Sequence, residues 1–305
     1  METTENLQKH LSKGWINFYR KKMPWPEVVF KDLFFFFKNL KLFILNGFRK
    51  KVIYCYPEFP SRNATLYKIA THLGYSITNK APSQYDLLAH WEDKTIRHKD
   101  PMLEKLATKL KILNGEATNI SKDLVDLAHL KAFGYATVVD PKSYHGKCVK
   151  KSNENAAHDG MVVECPVQHP EKGVIYQKLI NNLTDDHFAE DIRVPVIGDE
   201  IPHVYLKYKP LDRRFANFRE TERDKPTQIK KTHDILSDSE INSILNLANA
   251  MHLDFGEMDA LRNRDDGKIY VVDVNNTPTG PSHLTKKDLK LALSNLSESF
   301  RKQFL

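Results

Sequence analysis

Three oxygen-bearing side chains late in the chain have the types and spacing to act together. Residues 256–281 read GEMDALRNRDDGKIYVVDVNNTPTGP, and the run KIYVVDVN has the apolar density of a buried strand. Side chains alternate along a strand, so Val272 and Val274 should point one way and Asp273 and Asn275 the other. The preceding RDDGK is a hairpin signal, with Gly267 free to take positive φ in a short loop. With Arg264 opposite Lys268, the register sets Asp259 against Asp273. Two carboxylates facing each other across neighbouring strands repel unless a cation lies between them. Asp259, Asp273 and Asn275 then form an all-oxygen set of the kind that suits Mg²⁺. The alternative is a solvated sheet face whose charges never meet.

Several cations precede this cluster at places where they could serve an anion. Lys122 opens a helical stretch, and Lys151 closes the strand GKCVKKS before the polar loop NENAAHDG. Arg193 in EDIRVPVIGDE and Lys207 in VYLKYK fall on consecutive strands of a hairpin turning at Gly198-Asp199. Arginine offers phosphate a planar fork of donors and lysine a point charge. Taken singly each is an ordinary surface cation; their joint order ahead of the acidic cluster is what singles them out.

The elements that must hold these residues can be read in outline. KVIYCYP, GYSIT and YDLLAHWED read as strands and ATLYKIATHL as a helix, an alternating α/β unit running to about residue 95. A helix is expected near MLEKLATKLKIL. Another is expected in SKDLVDLAHLKAFGY, capped by Ser121 and closed by Gly134. Short strands follow at 147–151, 161–165, 173–180, 191–197 and 202–209. The polar loop LDRRFANFRETERDKPTQIKK leads to a helix in SDSEINSILNLANAMHL, then the hairpin, then a C-terminal helix from about 286. There is no GxxxxGK[ST] phosphate loop and no GxGxxG turn after a strand, which argues against P-loop and dinucleotide-binding readings.

Charge is unevenly spread over the 305 residues. Residues 1–51 hold 11 Lys or Arg against 4 Asp or Glu, which is the whole of the net charge of +7. The same segment is aromatic. Pro26 is placed to start a helix and Gly47 to end it. Val29, Phe30, Leu33, Phe36, Phe37, Leu40, Phe43, Ile44 and Phe48 would share one face, with Glu27, Lys31, Lys38 and Lys41 on the other. The charges exclude a transmembrane span, which needs roughly 20 mostly apolar residues. Two readings remain: a helix lying in a membrane interface through residues 15–50, with Trp15 and Trp25 at the headgroups, or a core or oligomer-interface helix. Nucleic acid binding is not expected, because the basic charge is confined to the segment with the apolar stripe. The three cysteines, Cys55, Cys148 and Cys165, lack metal-ligand spacing and suggest a reduced compartment without a disulfide framework. The N-terminal stretch has no signal-peptide core. A cytoplasmic protein is expected, peripheral at the inner face of the membrane if the helix lies there.

The order of these residues resembles the ATP-grasp superfamily, and within it the ribosomal-protein glutamate-ligase branch. The similarity covers roughly residues 118–285, with EDIRVPVIGDE, LDFGEMDALR and VVDVNNTPTGP carrying it. The resemblance implies an α/β protein whose ATP-grasp fold is built from α+β subdomains. Residues 1–50 would be the amphipathic helical segment and 51–117 an α/β pre-ATP-grasp domain. Residues 118–305 would be the ATP-grasp domain, its small subdomain at about 135–180 and its large one at about 181–305. ATP and Mg²⁺ are the implied cofactors. Lys122 and Lys151 resemble the two nucleotide-contacting lysines. Gln177, Lys178, Leu179 and Ile180 lie in YQKLI, which looks like the hinge strand whose backbone meets adenine. Arg193 and Lys207 resemble the cations facing the γ-phosphate and the acyl phosphate. Asp259, Asp273 and Asn275 match the Mg²⁺ ligands, Asp273 standing where many members have Glu.

The implied reaction turns a carboxylate into an acyl phosphate, from which an amine or thiol displaces phosphate. Its substrates would be small-molecule or lipid-like carboxylates and amines, and an oligomer stays open. A small-molecule kinase and a non-catalytic nucleotide-binding membrane adaptor are the competing readings. Two features depart from the family: SNENAAHDG replaces the usual glycine-rich phosphate loop, and Lys178 occupies a hinge position that is often acidic. His158 and Asp159 read as a polar turn.

Overall fold

The computed structural model describes residues 24–98, 100–108, 110–155, 157, 159–215 and 225–305. The chain divides into two compact units, residues 1–51 and 52–305.

In the first unit a helix, α1, runs Trp25–Leu45, starting beside Pro26 and closing just before Gly47 at φ 70°. Trp25, Phe30, Phe34, Phe36 and Phe37 are exposed along it. Among the described residues no helix is long and apolar enough to cross a membrane. Trp15 lies outside the described residues.

The second unit begins with β1 (Val52–Pro57), α2 (Thr65–Leu73), β2 (Ser76–Thr78) and β3 (Leu87–Trp91), which form a parallel sheet in the order β2-β1-β3. The helix expected in MLEKLATKLKIL is shorter: α3 spans Pro101–Ala107, capped by the Asp100 carboxylate. The chain beyond it turns inward, where Ile112 and Leu113 join the core and Leu113 bridges to Ala89. Helix α4 (Lys122–Phe133) starts after Ser121 and ends at Gly134, whose φ of 80° suits a residue without a Cβ.

Strands β4 (Gly146–Ser152), β5 (Met161–Cys165) and β6 (Val174–Lys178) form a small antiparallel sheet in the order β5-β4-β6. Then come β7 (Phe188–Ile197), β8 (Val204–Pro210), β9 (Gln228–Lys230), α5 (Thr232–Ile235), α6 (Asp238–Ala250), β10 (Phe255–Arg262), β11 (Ile269–Asn275) and α7 (Lys286–Phe304). Their five strands make a sheet in the order β11-β10-β7-β8-β9. Its inward face, with Val194, Val196, Met258, Val271 and Val274, packs against Ile244, Leu247 and Ala248 of α6 and Val125 of α4. β9 lies inside the stretch read as a polar loop; it pairs with β8 for three residues only.

The β10–β11 hairpin corrects two expectations. The turn is closed by Asn263 and Lys268, not by Arg264 opposite Lys268: the Asn263 N–H donates to the Lys268 carbonyl at 2.9 Å. Above it, the register shifts by one residue between the Asp259–Asp273 and Ala260–Val271 pairs. The shift restores Asp259 opposite Asp273, so the expected pairing holds through two offsets that cancel. It also reassigns Val272. The extra residue of a bulge breaks alternation, so Val271 and Val274 fill the core while Val272 turns to the same cavity as Asp273.

Candidate active site

A cavity of about 280 Å³ lies between the small antiparallel sheet and the five-stranded one. Of the residues singled out from sequence, Lys122, Lys151, Gln177, Lys178, Ile180, Arg193, Lys207, Asp259 and Asp273 all line it. Leu179 and Asn275 are not part of its lining. Strand alternation explains the convergence: Arg193 on β7, Lys207 on β8, Asp259 on β10 and Asp273 on β11 occupy the face opposite the core.

Arg193 stands at the centre of the polar wall. Its Nε and Nη2 donate to the two oxygens of Asp259 at 2.7 and 2.9 Å, a planar fork, and its Nη1 donates to Glu257 Oε2 at 3.2 Å. The cation expected between the paired carboxylates is therefore supplied in part by the chain itself. Burial alone would raise the Asp259 pKa, but the Arg193 charge and its hydrogen bonds outweigh it and hold the carboxyl well below the usual range. Glu257 and Asp273 go the other way, with burial pushing both carboxyls up. Glu257 is 2% exposed, and its Oε1 has no hydrogen-bond partner among the described residues.

Asp273 Oδ1 is likewise buried without a partner. Facing it are two lysines. Lys151 Nζ donates to the Val272 carbonyl at 3.2 Å, and burial lowers its pKa to about 8 against the pull of Asp273. Lys122 reaches across from the first turn of α4 to the Glu154 carbonyl. Asn275 Oδ1 accepts from the Thr277 N–H at 2.8 Å, and the Thr277 hydroxyl continues to Asp93 Oδ1 at 3.0 Å.

At the other end, Lys178 Nζ is held by Tyr270 Oη at 2.9 Å and Asp266 at 3.1 Å. Gln177 donates to Thr137 Oγ1 at 3.0 Å, and Thr137 is fixed by the Asp126 carboxylate. Val149, Ile180, Leu261 and Val272 give this end its apolar walls. Gln177 and Lys178 are thus fixed in place before any ligand arrives.

Sequence reasoning missed several lining residues. Lys209 pairs with Asp191 at 2.7 Å, and Arg214 donates to the Ile180 carbonyl at 3.1 Å and Asn182 Oδ1 at 2.8 Å. Phe215 packs so close to Gly160 that a Cβ there would stand 3.1 Å from its ring. Glu257, which holds Arg193 from outside the lining, had a legible signal, since it lies two residues before Asp259 on the same strand face. Asp159, read as part of a polar turn, does accept from the Ser152 N–H at 3.0 Å and also lines the cavity. His158 lies outside the described residues. Among the described residues, no group of three or more His, Cys, Asp or Glu side chains is gathered for a metal, so any metal set here depends on amide or phosphate oxygens as well.

No protein-family profile matches the sequence, and no curated protein matches it. Solved structures do. The chain is similar to the ATP-grasp ligase PsnB complexed with precursor peptide PsnA2 and AMPPNP, with 13% identity and a TM-score of 0.50. That match covers 84% of this chain and 97% of the other. Against PsnB complexed with minimal precursor the identity is 16% and the TM-score 0.43, and this chain spans 65% of that chain's length, with 65% of its own covered. D-alanine–D-alanine ligase from Bacillus anthracis matches at 14% identity and a TM-score of 0.49, covering 84% of this chain and 96% of that one. The fold is the mixed α/β fold of ATP-grasp ligases.

Proposed function

We propose that the protein is an ATP- and Mg²⁺-dependent ligase that activates a carboxylate and joins it to an amine or thiol. The observation that carries this reading is the composition of the cavity wall. Among the described residues, seven cationic side chains line it against four carboxylates, beside an apolar end fixed by the hinge strand. A surplus of that sign, built largely from half-buried strand positions, suits a polyphosphate, and the apolar end suits a flat base.

The donor set fits Mg²⁺. Asp273 Oδ1 is buried and has no hydrogen-bond partner among the described residues, and the Asp259 oxygens each keep lone pairs beyond the bonds from Arg193. Asp259, Asp273 and Asn275 would hold the ion, Asn275 joining the two carboxylates by giving up the Thr277 N–H that its Oδ1 accepts in the free protein. Bound there, Mg²⁺ would lower the charge that the terminal phosphates present to an attacking carboxylate.

The chain's own residues supply the rest. Lys122 and Lys151, anchored on backbone carbonyls, hold phosphate oxygens by direct charge. The backbone of Gln177, Lys178, Leu179 and Ile180 meets the base. Arg193 and Lys207 face the oxygens on which charge develops during transfer, already positioned by β7 and β8. Such chemistry needs little proton shuttling, consistent with a wall of cations and carboxylates in which no nucleophile–base pair stands among the described residues.

The test is an ADP-release screen of carboxylates paired with amines and thiols, with products identified by mass. ADP plus free phosphate, dependent on both substrates, is expected. A phosphorylated product would make it a kinase, and ATP binding with no acceptor-dependent ADP would make it a non-catalytic adaptor.

Residues 15–50 are proposed as a membrane-surface contact at the inner face, which would suit an amphipathic acceptor. The exposed Trp25, Phe30, Phe34, Phe36 and Phe37, with Lys38 and Lys41 on the same helix, support this. Flotation with anionic vesicles should be lost when residues 1–48 are deleted; equal flotation of both forms would refute it.

A further inference from the structure

Two of the three cysteines meet in the small sheet. Cys148 lies in the middle of β4, opposite Val163 of β5, and Cys165 ends β5 two residues further along the same face. Their Sγ atoms are 2.8 Å apart, closer than van der Waals contact between sulfurs. Cys148 is fully buried and Cys165 5% exposed, with Tyr176 of β6 packed beside them. Cys55 is elsewhere, in the core around the parallel sheet.

We propose that Cys148 and Cys165 are the site of an intrachain disulfide, formed by exchange with a low-molecular-weight disulfide. In the first step the Cys165 sulfur attacks the small disulfide, forming a mixed disulfide and releasing one small thiol. Cys148 then attacks the Cys165 sulfur and releases the second. Two S–H bonds are lost and one S–S bond forms; two protons and two electrons leave on the two small thiols.

The order follows from position. β5 is an edge strand with one neighbour, and Met161, Val162 and Glu164 along it are exposed, so it is the strand of this sheet that opens most readily. Cys148 is on the central strand. Burial, with Cys165 beside it, pushes its thiol up to about 12, which disfavours it as the first attacker and leaves its attack to the second step, when the mixed disulfide is already held against it.

The bond would close a ring that contains Lys151, Asp159 and Gly160, all of which line the cavity. Oxidation would therefore fix the wall that the small sheet contributes. The chemistry stands on the sulfur geometry alone and does not depend on the ligase reading.

The full chain is incubated with oxidised glutathione to completion, quenched with acid, alkylated under denaturing conditions and analysed by intact mass and peptide mapping. The expected product is lighter by two hydrogens. It has one cross-linked peptide pair containing Cys148 and Cys165, and Cys55 is alkylated. Hydrogen exchange at the β5 amides should slow in that product, and the Cys165→Ser chain should form no internal disulfide. The proposal is overturned if all three thiols are alkylated at completion, if glutathione stays on Cys165 without transfer to Cys148, or if Cys55 enters the bond.

Discussion

His129 should make the protein acid-labile over a range set by its burial. The ring is fully buried on α4, stacked on Phe133 with centroids 4.3 Å apart and edge-on to Tyr135 at 5.1 Å. Neither ring nitrogen has a hydrogen-bond partner among the described residues. Burial lowers its pKa from 6.5 to about 4, outweighing the opposing pull of Asp126. The unfolded chain therefore binds a proton near pH 6.5 that the folded chain refuses until about pH 4. Stability is fully present above pH 6.5 and lost as pH falls towards 4. Linkage puts the loss from this one group at about 0.2 kcal/mol at pH 7 and about 2 kcal/mol at pH 5. In His129→Phe the aromatic packing is largely kept and the titration removed. Any repacking cost is the same at both pH values, so the difference between pH 7 and pH 5 isolates the histidine. Urea unfolding at the two pH values should show the variant losing about 1.8 kcal/mol less than the parent. Equal losses in parent and variant would refute the reasoning.

Asn114 latches the loop after α3 to β10 and β11. Its amide donates to the Phe255 carbonyl at 2.6 Å and the Asn276 carbonyl at 3.2 Å, and its Oδ1 accepts from the Asp254 and Phe255 N–H groups at 3.0 and 2.9 Å. Asn114→Gly, which tolerates the local φ of 55°, should cost about 4 kcal/mol in chemical denaturation, at about 1 kcal/mol per buried bond. Gly256→Ala places a Cβ 2.6 Å from the Asn275 carbonyl oxygen and 2.9 Å from Leu253. It should destabilise by about 1–3 kcal/mol and weaken Mg²⁺-dependent nucleotide binding by displacing β11, read by calorimetry and titration of the same variant. Lys151→Met should raise the ATP Kd at least tenfold, the loss of about 1.5 kcal/mol expected for one charge-assisted bond, measured by displacement of a fluorescent nucleotide.

Much of the architecture could be read from local chemistry. Gly134 closes α4 because the αL position has a narrow residue preference, and Ser121 takes the N-cap position although its hydroxyl caps no helix N–H; alternation set Asp273 on the face away from Val274. What escaped was set by partners far away in sequence. Arg193 pairs with Asp259 66 residues later, and that fork decides which carboxylate stays charged. Glu257 carries a signal in its position but not in its type, since nothing local distinguishes a buried glutamate from a solvated one. β9 holds three residues, too few for a period to show, and exists because β8 offers an edge. Val272 changed sides at a bulge, a single extra residue that no alternation rule anticipates. The contact of Cys148 with Cys165 likewise follows from the β4–β5 register and not from cysteine spacing.

In the proposed function Asp273, beside Asp259 and facing Lys122 and Lys151, is the floor of an Mg²⁺-dependent ATP site. Isothermal titration of ATP into the full chain, with Mg²⁺ and then with EDTA, tests it most directly when repeated on Asp273→Asn. Mg²⁺ should tighten ATP binding to the parent at least tenfold, and the variant, still folded, should lose this difference. ATP binding that is indifferent to Mg²⁺ in the parent, or equally Mg²⁺-dependent in the variant, would contradict it.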